Sequence, residues 1–166
     1  AKNATGELAP YAGAADAEGF WIEGAARVDT AALIAAARMR WLGDGRLREE
    51  RVDPQAAAAR YDVVILCTGA DDCEGLAWGG TACVRANGDI LTLAVGGLAP
   101  DVILNRGRWV LPTSPGLAKV GATYTHGGAS SGGATARDEL TAGAREILGG
   151  RDFKVVAQEA GVRVTS

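Results

Sequence analysis

The run Val63-Val64-Ile65-Leu66-Cys67, which stops at Thr68-Gly69-Ala70, restricts the possible folds more than any other stretch of the chain. Consecutive apolar residues without polar alternation, closing on small residues, read as a strand buried on both faces of a helix-covered sheet. Strands of that kind commonly deliver their C-terminal turn to a nucleotide. The expectation is a buried strand over 63–67, an inert and buried Cys67, and a phosphate-binding loop to accompany them.

That loop is missing from the sequence. The fingerprint G-x-G-x-x-G between a strand and a helix does not occur: Gly43-Asp44-Gly45 lacks the third glycine, and Gly75 with Gly79-Gly80 has the wrong spacing. Gly127-Gly128-Ala129-Ser130-Ser131-Gly132-Gly133 leads into a helix, and its N–H groups are able to hold an anion, but no lysine stands in P-loop position. It reads as a mobile hairpin-to-helix connection.

A length of 166 residues with 48% hydrophobic and 22% charged side chains is that of an ordinary soluble domain with one core. The net charge of −3 gives no global attraction to polyanions. The cysteines Cys67, Cys73 and Cys83 and a single histidine, His126, argue against a zinc site, and reduced thiols in a cytoplasmic chain are the expectation. No stretch nears the roughly 18 apolar residues of a membrane span, and the N-terminal residues lack a signal-peptide pattern. The chain begins on Ala1 and ends on Thr165-Ser166 straight after a strand-like run, so both ends read as cut.

Residues 1–18 read as an irregular segment and 19–166 as the folded body. Residues 19–23 form a strand candidate, and Asp29 caps a helix with Leu33, Ile34, Ala37 and Trp41 on one face, ended by Gly43. Residues 46–52 are strand-like, Asp53-Pro54 breaks them, and an alanine-rich connector over 55–60 follows. Residues 81–85 and 90–95 flank Asn87-Gly88, which predicts a tight hairpin or one bulged ribbon. Further strands are expected over 102–104, 108–111 and 117–124, separated by Arg106-Gly107 and Pro112-Thr113-Ser114-Pro115-Gly116. Thr135-Ala136-Arg137-Asp138 resembles a capping box before a helix burying Leu140, Ala144, Ile147 and Leu148, stopped by Gly149-Gly150. Residues 154–158 and 162–165 close the chain as extended segments. The fold class is α+β: an antiparallel or mixed sheet with flanking helices.

The order YDVVILCTGA, RANGDILTL, GRWVLP, KVGATYTHG, a helix, then AQEAGVRVTS resembles the D-amino-acid-oxidase-like FAD-dependent oxidoreductases from Gly19 onward. KVGATYTHG and AGVRVTS are most similar to glycine oxidases and to the FAD-dependent half of the bifunctional enzyme that makes 5-methylaminomethyl-2-thiouridine in tRNA. The resemblance implies the substrate-binding portion of such a flavoprotein, with the G-x-G-x-x-G module and the segment after the G-x-R strand missing. It implies FAD in the intact parent, a carboxylate-bearing amine as substrate, and an excised chain that neither retains FAD nor turns over. The alternative from a different class is a self-contained, non-catalytic binding or structural domain sharing the sheet.

On that resemblance, Arg163 of Gly161-Val162-Arg163 matches the carboxylate clamp, a task that suits a planar guanidinium. Thr68, Gly69 and Ala70 match the flavin-side turn, where small residues let backbone approach the cofactor. Trp109 and Tyr124, on consecutive strands, are candidates for lining the pocket, while His126 is not required as a base because the flavin accepts the hydride. Ser114, Ser130 and Ser131 show no histidine–carboxylate arrangement for hydrolase chemistry. Arg38, Arg40, Arg46, Arg48 and Arg51 around Trp41 suit tRNA phosphates, but Asp44, Glu49 and Glu50 dilute them, and a solvated surface is the plainer reading.

Overall fold

The structure, a computed structural model, describes residues 12–15, 20–72, 84–126 and 133–165. The expectations for 81–83, for the glycine loop over 127–132 with Ser130 and Ser131, for Cys73 and Cys83, and for most of 1–18 lie outside these. The chain divides into two compact units, Ala1–Val64 and Ile65–Ser166.

In the first unit, β1 (Ala12–Ala15) pairs antiparallel with β2 (Phe20–Ile22). Helix α1 (Thr30–Gly43) starts where its cap dictates: Asp29 Oδ1 accepts the Ala32 N–H at 3.0 Å, covering a donor the first turn leaves open. Asp53 does the same for α2 (Pro54–Ala58), accepting from the Gln55 N–H at 3.0 Å ahead of a proline that needs no partner. The apolar face of α1 is uncovered: Leu33 is 58% and Ile34 66% exposed. Residues 46–52 form no strand. The N–H groups of Arg46 and Leu47 turn back to the Trp41 carbonyl, which diverts the start of this segment from any ladder.

The run 63–67 is a correction to the sequence reading. It is not a ladder strand, Val63 and Ile65 are 76% and 81% exposed, and the Cys67 thiol is exposed rather than buried. A strand buried on both faces needs neighbours on both edges, and among the described residues none pairs with this run. Thr68 leads into a 3-10 turn, Gly69–Asp72, entered at Gly69 with φ +63°, a backbone region that glycine occupies without steric cost.

The second unit is an α+β layer built on an antiparallel sheet. Its centre is β3 (Val84–Val95), flanked by β6 (Leu117–Gly121) and then β7 (Thr125–His126) along one edge and by β8 (Phe153–Thr165) along the other. Beyond β6 lie β5 (Arg108–Ser114) and β4 (Leu104–Arg106), each reached by a tight connection at Gly116 (φ +77°) or Gly107 (φ +69°). Asn87-Gly88 makes no hairpin. Both residues sit inside β3, paired with Val162 and Gly161, and a Cβ on Gly88 would lie 2.9 Å from the Thr123 carbonyl oxygen. That glycine serves a close backbone approach rather than a turn.

Helix α3 (Ala134–Leu148) covers one face of the sheet. Leu140, Ala144 and Leu148 recur at helical spacing and meet Leu91, Leu93 and Val95 of β3 with Val110, Ala118 and Val120 of β5 and β6, all buried. Ile147 and Phe153 pack at the margin. The helix begins at Gly133 without a side-chain cap, so Thr135 lies inside the first turn and the capping box does not form. Gly149, at φ +58°, returns its N–H to the Arg145 carbonyl and ends it as expected.

Candidate functional site

Alternation along β3 sends Leu91, Leu93 and Val95 toward α3 and leaves Ala86, Gly88 and Ile90 on the opposite face, Ala86 buried and the other two half-buried. Register places Arg163, Gly161 and Glu159 of β8 directly beside these three, as the pairs Ala86–Arg163, Gly88–Gly161 and Ile90–Glu159. The result is a cavity of about 350 Å³ whose walls include Ala122 and Tyr124. Its floor carries a cation at one end, a carboxylate at the other, and a glycine pair between them. A Cβ on Gly161 would project into open space, so the absence of a side chain there keeps the floor low, whereas the space over Gly88 is taken by the Thr123 carbonyl.

Arg163 and Tyr124, which the sequence put on separate segments, come together here. The guanidinium carbon lies 5.4 Å from the Tyr124 ring centroid, and the ring in turn meets His126 edge-on at 4.8 Å. No carboxylate among the described residues pairs with Arg163, which lines the cavity. Trp109 is adjacent rather than lining. It pairs with Gly121 and lies over it so closely that a Cβ there would come within 2.5 Å of the indole, and that row continues through Ile90 to Glu159.

The segment carrying Tyr124 is pinned from the helix side. Thr123 Oγ1 accepts the Asp89 N–H at 2.8 Å and donates to Asp89 Oδ2 at 3.4 Å, while the Thr123 N–H reaches the Asp89 carbonyl at 3.2 Å. Gln158 Nε2 donates to Asp89 Oδ1 at 3.0 Å and to the Gly133 carbonyl at 3.3 Å, tying the start of α3 to the same carboxylate. Asp89 is 3% exposed, and burial of a carboxylate is tolerable because these donors meet it.

Thr68, Gly69 and Ala70 fall at the entry to the 3-10 turn, which packs against β8, the strand that supplies Arg163. Ser114 ends β5 on the surface. Of the arginine-rich run, Arg38 is ion-paired with Glu49 and Arg40 lies 3.9 Å from Asp44, a partly neutralised surface.

Sequence reasoning missed Glu159, Gly88 and the Asp89–Thr123–Gln158 cluster. The period-two spacing of Glu159, Gly161 and Arg163 was the available signal for the first. No protein-family model matches the chain, and no curated protein or solved structure shows significant similarity to it.

Proposed function

We propose that this chain forms the substrate-facing part of an FAD-dependent oxidoreductase of the D-amino-acid-oxidase type, one that oxidises a C–N bond of an amino acid or a carboxymethylamino group. A wobble uridine of tRNA bearing that group belongs to the same substrate class. The observation that carries the reading is the Arg163 guanidinium, paired with no carboxylate among the described residues and braced on Tyr124 at one end of a cavity with a glycine floor.

The residues present fit one side of the cofactor. Open space over Gly161 accommodates a planar ring or a small substrate lying against the sheet, and Thr68, Gly69 and Ala70 offer small side chains beside β8. Nothing in the sequence has the G-x-G-x-x-G form that holds a pyrophosphate, so in this reading a separate FAD-binding module holds the phosphates. When bound, the flavin supplies hydride acceptance from the carbon alpha to nitrogen.

The chain's own residues position that carbon. Arg163 takes the carboxylate in two parallel hydrogen bonds, which leaves the substrate one orientation along the floor. Tyr124 limits the rotamers of Arg163 by covering one face of the guanidinium, and the Asp89–Thr123 contacts keep Tyr124 in place. The nitrogen releases a proton as its carbon gives up hydride, and water hydrolyses the product imine to a carbonyl compound and an amine.

The missing pyrophosphate loop favours the second reading, a non-catalytic carboxylate-binding domain. Anaerobic mixing of the FAD-loaded parent enzyme with glycine, N-methylglycine and other N-substituted glycines separates them. Bleaching of the flavin absorbance by at least one of these amines is the expected result. A flavin that stays oxidised with all of them, while carboxylates still bind, overturns the oxidase reading.

A further inference from the structure

Glu159 ends the same cavity that Arg163 begins, four positions away on the same face of β8, a span of about 13 Å at a strand rise of about 3.3 Å per residue. In the register of β3 and β8 the Gly88–Gly161 pair lies between them. In the free protein Glu159 Oε2 lies 2.7 Å from Lys119 Nζ, reached diagonally across β3 from β6. The pair is open to water, Lys119 at 34% and Glu159 at 57% side-chain exposure, so it holds loosely and an incoming cation is able to replace it.

We infer that Glu159 is a second recognition pole, and that the cavity takes a ligand with a carboxylate at the Arg163 end and a distal cationic nitrogen at the Glu159 end, for which Lys119 is the resident competitor. The inference rests on reading Arg163 as the carboxylate clamp, and it narrows the substrate class from any amino acid to one with a basic, extended side chain. A purely apolar tail gains nothing from Glu159. An ammonium gains an ion pair but must displace Lys119, which keeps the preference modest and makes its sign with respect to Lys119 diagnostic.

The test is the ratio of dissociation constants for hexanoate and 6-aminohexanoate, measured by calorimetric or amide-resonance titration of the protein. Taking the ratio cancels effects that a variant has on carboxylate binding or on folding. In the unaltered protein 6-aminohexanoate should bind about two- to five-fold more tightly, the scale of one exposed ion pair. Glu159→Gln should bring the ratio to one, and Lys119→Met, which keeps the apolar stem, should raise it. Arg163→Ala should abolish both titrations. A ratio of one in the unaltered protein, a ratio that survives Glu159→Gln, or no titration of either ligand overturns the inference. If the Glu159-dependent preference appears but none of the amines bleaches a bound flavin, the oxidase reading alone falls. Flavin bleaching with a ratio of one removes Glu159 alone.

Discussion

The two units solve the problem of local structure in opposite ways. Around α3, helix and sheet bury each other, and nine apolar residues from Leu91 to Leu148 form one core. Among the described residues of the first unit only Ala57 is buried, and α1 exists with Leu33, Ile34 and Trp41 all exposed. Caps and alanine-rich sequence are enough to define where α1 and α2 begin, but they do not supply the burial that makes a helix resist opening. The cavity lies wholly within the second unit, where rigid ladders fix Arg163, Gly161 and Glu159 in register.

The widest difference should appear in amide hydrogen exchange. Leu91 and Leu93 donate within the central strand and should exchange only on global unfolding, so their protection should exceed that of the middle of α1 by at least about a thousand-fold. Equal protection would mean that the face of α1 is covered and would erase the contrast.

Side-chain truncation offers a second, smaller contrast. Leu140→Ala should cost about 2–5 kcal/mol in a chemical-denaturation experiment because its cavity lies among buried neighbours, whereas Leu33→Ala should stay within about 0.5 kcal/mol. A large cost at Leu33 would show that the two units share one stability.

Gly88→Ala sharpens the comparison at the site itself. Its added methyl would meet the Thr123 carbonyl, so a loss of about 1–3 kcal/mol in unfolding free energy is expected. A neutral substitution there would restore the view of Asn87-Gly88 as a turn.

These contrasts also mark what the sequence made legible. Local chemistry was readable: the Asp29 cap, the glycine at the end of α3, the turns at Gly107 and Gly116, and the face of Leu140, Ala144 and Leu148 all occur where their residue types require. Pairing was not. Residues 63–67 and 46–52 have strand composition but no ladder partner, and composition cannot report whether a neighbour is present. Asn87-Gly88 has turn composition inside a strand, because the second reason for glycine, the closeness of Thr123, comes from a residue 35 positions away. At the site, Arg163 and Tyr124 were candidates on a resemblance to a family pattern, and the structure brings the two together at one cavity. Glu159 was not a candidate, since its meaning depends on lying two residues from Gly161 on a common face.

The central claim is that Arg163 clamps a carboxylate so that a C–N bond faces a flavin. The most direct measurement is kcat/KM of the flavin-loaded parent enzyme on a carboxylate-bearing amine, before and after Arg163→Ala. The account predicts a loss of about 2–4 kcal/mol in transition-state binding, on the order of 30- to 1,000-fold, with flavin content unchanged and Arg163→Lys recovering only part. Near-normal turnover by the alanine variant, folded and carrying its flavin, would contradict it.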